Sequence, residues 1–262
     1  MSVFSSIDRR ILAIALPSIV SNITVPLLGL VDVAVTGHMG ADGDTVGALP
    51  ASYYVGAIAV GGMLFNIIYW MFGFLRMGTG GETAQAWGRR DLDGVVLLLV
   101  RSLLLALVLA LVLLALSPLV RDGALWYIAP EAEVASLART YFNICIWGAV
   151  PALGLFAMNG WYIGMQNSRF PMIVAIGQNL LNIACSIFFV YALGMRIEGV
   201  ALGTLLAQWV AFIIALLLCL RYYRRLWKRA SFRTPSFCLL LRQAVTPGTA
   251  SNRQNFSLLL RT

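Results

Sequence analysis

Six stretches of this chain, each longer than 20 residues, are almost free of charge: 11–37, 47–75, 95–120, 141–163, 172–195 and 200–220. That feature constrains the fold more than any motif. A backbone in lipid has no water to bond, so it must satisfy its own N–H and C=O groups. About 20 apolar residues in a helix do this across one bilayer. Strands fail as a reading, because the runs are too long and lack the alternation a barrel strand needs. The sequence predicts an all-α, polytopic membrane protein built as a six-helix bundle. The third span carries Arg101, close enough to its start to snorkel toward the interface.

Composition agrees. Hydrophobic residues make up 60% of the chain and charged residues 11%, against about 25% charged in a soluble domain. A soluble enzyme, a disordered chain and a disulfide scaffold are excluded. The first apolar run continues through Pro17, Pro26 and Asp32, so it reads as a first span rather than a cleaved signal. Cys145, Cys185, Cys219 and Cys238 have no CxxC spacing and read as small buried hydrophobes or lipid-level residues.

The net charge of +8, with 18 of 19 basic residues Arg, sits between the apolar runs. The membrane explains it better than nucleic acid does. Fifteen basic residues fall on one side of the predicted spans and only Arg121, Arg139 and Arg196 on the other. Asp42, Asp44, Asp122, Glu131, Glu133 and Glu198 share that second side. The bias predicts that both termini are cytoplasmic. Residues 1–220 form the predicted lobe. Residues 221–262 form a basic cytoplasmic linker with nine positive charges and no acid, suited to fixing topology beside anionic lipid. Trp126–Tyr127, Trp161–Tyr162 and Tyr222–Tyr223, near span ends, are predicted interface anchors.

An ionisable group inside a span costs roughly 2.5–3.5 kcal/mol at the helix centre on insertion scales, so it needs a reason. Asp32 is the acid inside a predicted span, roughly 8 Å below its outer end at about 1.5 Å per residue. Its helical face reads Ser18, Asn22, Val25, Gly29, Asp32 and Thr36, polar and small, which belongs in a protein interior or a wet cavity. A second polar stripe lies on span 5, where Gln178, Asn182 and Ser186 recur every four residues with Asn179 beside them. Span 6 adds Thr204 and Gln208, and span 4 adds Asn159. Amides and hydroxyls can orient a carboxyl group. Burial opposes its ionisation and hydrogen-bond donors favour it, so an acid poised between the two can load and release a proton. For Gln178, Asn179 and Gln208 the simpler role is to hydrogen-bond helices together. Pro17 and Pro26 each remove a helical hydrogen bond, and they predict a first helix that bends when the acid is protonated.

Other signals carry less. His38, at the outer end of span 1, reads as a polar surface residue. Gly78, Gly80 and Gly81 make no nucleotide loop, since no strand precedes them and no GxGxxG or GK[ST] is present. No HExxH, GxSxG or Cys/His set supports an enzyme or a metal site.

Four runs then carry a family resemblance: ALPSIVSNITVPLLGLVDVAVTGHMG (15–40), RMGTGGETAQAWG (76–88), GWYIGMQNSRFP (160–171) and QNLLNIACSIFFVYALGMRIEGVALGTLLAQ (178–208). In order and spacing they resemble the multidrug and toxic compound extrusion (MATE) transporters, and among them the DinF-like branch. The resemblance implies an antiporter of two six-helix lobes in the bacterial inner membrane. It would expel amphipathic, often cationic compounds in exchange for protons or sodium ions, with no bound cofactor. The family's ion-site acid falls on Asp32, its polar partners on Asn159, Asn182 and Thr204, and its helix-1 proline on Pro17. Where many relatives carry a second acid on helix 5, this chain has Ser186. A lone carboxylate carries one charge, which favours a proton, with sodium as the alternative.

The resemblance covers about residues 1–230, the first lobe, and SNRQNFSLLLRT (251–262) resembles the lead into a seventh helix. Alternating access needs two bodies rocking about a central site, so transport would require a second lobe or a second copy. The expected partners are the lipid bilayer and amphipathic small molecules, not nucleic acid. Two other readings stand beside the transporter: a truncated, non-transporting membrane protein or assembly partner that keeps the fold, and a lipid flippase.

Overall fold

The structure, a computed structural model, describes residues 19, 31, 33–37 and 49–224. Pro17, Pro26, Asp32 and His38 lie outside the described residues, as does the basic segment from Arg225 onward.

Every regular element among the described residues is helical: α1 (Ala51–Met71), α2 (Gly73–Gly88), α3 (Leu92–Ile128), α4 (Ala132–Cys145), a 3-10 turn (Ile146–Gly148), α5 (Ala149–Gly164), α6 (Arg169–Ile187), a π turn (Phe188–Ala192) and α7 (Ile197–Tyr222). Five segments are long and apolar enough to cross a membrane: Ala51–Gly88, Leu92–Ile128, Ala132–Gly164, Arg169–Ala192 and Ile197–Tyr222. They correspond to the second to sixth predicted spans; the first lies almost wholly outside the described residues.

Local chemistry sets the breaks. The α1–α2 junction is Phe72, whose N–H reaches back to Tyr69 O at 3.1 Å. That three-residue bond tightens the last turn before the glycine-rich α2 begins. Asp91 caps α3 by accepting the Gly94 N–H at 2.9 Å. Ala129, in the left-handed region at φ 46°, ends α3 just before Pro130.

Three boundaries differ from the sequence reading. The second span, predicted to end at 75, turns at Phe72 and stays helical to Gly88. The third runs 37 residues, about 55 Å at 1.5 Å per residue. That is longer than the hydrocarbon core of a bilayer, about 30 Å. The fourth starts at Ala132, nine residues before the predicted start at 141. Charged helix ends carry no hydrophobic signal, so hydropathy alone places only the membrane portion.

The helix α5 is the hub, packing on α2, α3 and α7, while α6 pairs with α7 and α4 bridges α1 and α7. Along α5, Gly160 faces the Arg76 carbonyl and Gly164 faces Gly80 and Thr83, so closely that a side chain at either glycine would collide. Small residues let backbones approach where lipid offers no hydrophobic drive for association. One core layer gathers Tyr54, Phe65, Tyr141, Phe142 and Val200; another gathers Leu99, Met158, Trp161 and Tyr162.

The Trp161–Tyr162 pair corrects a sequence expectation. Both rings are fully buried, not set at the lipid interface. Trp161 Nε1 donates to Val95 O at 2.8 Å and the Tyr162 hydroxyl donates to Ala215 O at 2.6 Å. They are polar pins between helices. Trp126 and Tyr127 are exposed, as interface anchors would be, while Tyr223 folds back onto Trp161. Cys145 and Cys219 are buried and Cys185 is half-buried. At the other end of α3, Arg121 pairs with Asp122 at 2.9 Å and donates to Asn143 of α4 at 2.7 Å.

Candidate ion and cargo site

The closest approach of α6 and α7 assembles most of the predicted polar site. At Gly203 the missing side chain makes room for Ser186, since a Cβ there would stand 2.7 Å from Ser186 Oγ and 2.9 Å from its backbone N. Beside that crossing three side chains form a directed chain. Ser186 Oγ donates to Asn182 Oδ1, Asn182 Nδ2 donates to Thr204 Oγ1, and Thr204 Oγ1 donates to Val200 O, each at 3.1 Å. Ser186 and Asn182 are buried; Thr204 is half-buried.

The geometry has chemical consequences. Asn182 is held at both ends of its amide, so its rotamer and flip state are fixed. None of the three titrates in the working range, so the trio holds no charge of its own. It has capacity to solvate one, because the Asn182 amide has a second N–H and the Thr204 oxygen a second lone pair. The Asn182 and Ser186 part of the polar stripe on α6 therefore faces α7. Of the polar face proposed around Asp32, Thr36 is described; it is buried and donates to Val33 O at 3.1 Å.

Asn159 is not tied into this chain. It is half-buried on α5, and its Oδ1 is buried with no hydrogen-bond partner among the described residues. The structure brings Asn182, Ser186 and Thr204 together and leaves Asn159, expected beside them, as a separate polar group on α5.

Sequence reasoning missed Tyr69. It sits on α1 between Phe65, at 5.7 Å centroid to centroid, and Phe156 of α5, at 6.2 Å. Tyr69 lines a cleft of about 1330 Å³ between α1, α2 and α5, with Asn66, Trp70, Phe74, Arg76 and Phe156 on the same walls. Arg76 is the single charged residue among those that line it. The cleft is roomy beside ordinary small-molecule pockets of about 300–1,000 Å³, and Tyr69, Trp70, Phe74 and Phe156 are the aromatic residues on its walls. The available signal was the pairing of Asn66 and Tyr69, three residues apart, in an otherwise apolar half-helix.

Comparison with known proteins is consistent with these features. The family model described as MatE matches residues 17–188. The chain is 37% identical over 219 residues to DNA damage-inducible protein F of Escherichia coli (strain K12), covering 83% of this chain and 45% of that protein. It is 27% identical over 232 residues to multidrug and toxin extrusion protein 2 of Mus musculus, covering 85% of this chain and 38% of that protein. The chain spans less than half the length of these relatives. Among solved structures, one described as MATE in the bent conformation superposes with a TM-score of 0.74 at 22% identity, covering 90% of this chain and 51% of the other. An outward-facing MATE transporter superposes at 0.70 and 22% identity, covering 82% and 45%. At that identity the likeness speaks for the fold.

Proposed function

Because the chain belongs to the MatE family of membrane transporters, we propose that it forms the N-terminal six-helix lobe of a secondary antiporter. This antiporter exports amphipathic, often cationic compounds in exchange for protons. The observation that carries this reading is the Ser186–Asn182–Thr204 chain, buried within two spans and fully oriented. Placing three hydrogen-bonding side chains there costs stability unless they are paired, and these are paired in a way that leaves the second N–H of Asn182 available to a carboxylate.

In this reading Asp32 carries the proton. The second N–H of Asn182 is a donor that favours its ionised form, while the surrounding apolar helices favour its neutral form. Small rearrangements then switch it between loading and release. Pro17 and Pro26 let the first helix bend as the charge changes. Ser186 replaces a second carboxylate, so one proton rather than a sodium ion balances the site. Asn159 supplies a further acceptor from α5. The lobe comprises residues 1–220, and residues 221–262 are a basic cytoplasmic linker toward a second lobe. That second lobe, or a second copy, supplies the opposite wall that alternating access requires. The protein sits in the bacterial inner membrane with the start of this chain and its basic linker cytoplasmic, following the placement of its arginines.

The test is drug survival. The native product containing this chain is expressed in a drug-sensitive bacterial host, as wild type and as Asp32→Asn, with membrane levels matched by immunoblot. The proposal expects resistance to lipophilic cations from the wild type and its loss in Asp32→Asn. Full resistance from the variant would overturn the role of Asp32. No resistance from the wild type would favour an assembly role.

A further inference from the structure

The cleft between α1, α2 and α5 is apolar and aromatic along its length, with one charge, Arg76. No acidic residue lines it. The Arg76 guanidinium is exposed and has no hydrogen-bond or ion-pair partner among the described residues. The helix α1 carries no charged residue, so Arg76 is the first charge after Ala51 in the Ala51–Gly88 segment. The uncharged run before it is about 38 Å long at 1.5 Å per residue. That is enough to cross a hydrocarbon core of about 30 Å and bring the guanidinium to headgroup level.

Glycines keep this cleft open. Gly80 has a packing reason, since a Cβ there would stand 3.3 Å from the Gly160 carbonyl oxygen of α5. Gly73 and Gly81 line the same cleft, yet a Cβ on either meets no atom of the described residues within 4 Å. Contacts among these helices therefore do not demand them. Gly81, inside α2, even weakens the helix relative to alanine. What its missing side chain preserves is room in a cleft whose only charge is an unpaired cation.

We propose that the cleft is a binding site for an anionic phospholipid. The phosphodiester sits on the Arg76 guanidinium, whose planar fork matches two phosphate oxygens. An acyl chain lies along Trp70, Phe74 and Phe156 toward Asn66. From Arg76 back to Asn66 is about 15 Å of helix, a wall that a chain can follow and a free phosphate cannot use. An arginine that merely snorkels also meets headgroups. The cleft adds a fixed place for the chain, so binding is saturable and sensitive to the shape of the wall. With no acid on that wall, nothing there balances a cation, which sets this site apart from one for cationic cargo. Such a site goes beyond the transporter reading and stands whether or not the lobe transports.

The experiment is native mass spectrometry of the purified native product in detergent, delipidated and then titrated with phosphatidylglycerol or with phosphatidylcholine of the same acyl chains. Wild type is compared with Arg76→Gln, Gly81→Leu and Arg89→Gln. Arg89 is an exposed arginine at the end of the same helix and does not line the cleft. The wild type is expected to bind its first phosphatidylglycerol about 10-fold more tightly than phosphatidylcholine, the ratio that one charge-assisted hydrogen bond supplies. Arg76→Gln should bring that ratio to within about 2-fold, and Arg89→Gln should match the wild type. Gly81→Leu should fill the cleft and weaken the first phosphatidylglycerol by about 5-fold or more, with no fall in melting temperature. If Arg76→Gln expresses poorly, Gly81→Leu decides, because its Cβ enters open space. A wild type with no preference between the lipids overturns the site. So do equal losses in Arg76→Gln and Arg89→Gln, which would mean a general attraction to the basic surface. Wild-type binding by Gly81→Leu, or displacement of the lipid by excess inorganic phosphate, overturns it too. Each of these outcomes is read without transport and leaves the antiporter reading as it stands.

Discussion

Ser186 on α6 and Gly203 on α7 meet so closely that a Cβ on residue 203 would stand 2.7 Å from the serine oxygen. The crossing fixes the register of the two helices, and that register brings Asn182 to Thr204 at 3.1 Å. A small residue and a polar trio are therefore one arrangement: the glycine sets the helix spacing and the hydrogen bonds use it.

Gly203→Ala should separate α6 from α7 locally. The methyl meets both the Ser186 side chain and its backbone, so rotamer change alone does not relieve it. Overpacking of this kind costs about 1–3 kcal/mol. The expected outcome is a lower melting temperature in detergent and loss of transport at matched expression. An unchanged melting temperature would show that the helices are not held this tightly.

The trio should behave as a unit. Thr204→Val removes one bond from Asn182 and leaves the amide N–H unsatisfied, while Asn182→Ala removes the bonds to both Thr204 and Ser186. Each is expected to destabilise by about 1–3 kcal/mol. In a double-mutant cycle the combined loss should fall short of the sum by about 0.5 kcal/mol or more, as for other residues in one network. Strict additivity in thermal unfolding would mean that the bonds are incidental.

Trp161 and Tyr162 give a check on the fold that is independent of function. Tyr162→Phe deletes only a hydroxyl, yet it leaves the Ala215 carbonyl without that donor on α7. The expected cost is about 1 kcal/mol, read as a lower melting temperature with expression and oligomeric state unchanged. An interface-facing tyrosine would show no such loss.

These residues also show where sequence reasoning succeeds. The Asn182/Ser186 and Thr204/Gln208 spacing of four residues was legible because polar side chains on one helical face inside lipid need a protein partner. Trp161–Tyr162 misled because an aromatic pair at a span end looks the same whether it anchors at the interface or pins two helices. Only the positions of the Val95 and Ala215 carbonyls distinguish the two. The glycines of α2 fell beyond the predicted span because they carry little hydropathy, while the α5 backbone that requires Gly80 is 80 residues away at Gly160. Tyr69 was hidden for the same kind of reason. It stands in a stretch rich in aromatic residues, with Phe65, Trp70 and Phe72, and nothing in that stretch shows that α5 brings Phe156 against its ring.

The most direct test of the account is coupled flux. The native product is reconstituted in liposomes, and ethidium export is recorded with internal pH under an imposed pH gradient in sodium-free buffer. The account predicts that ethidium movement requires the gradient and is accompanied by counterflow of protons, and that both vanish together in Asp32→Asn. Ethidium export that persists without a pH gradient, or that appears only when sodium is added, would contradict it.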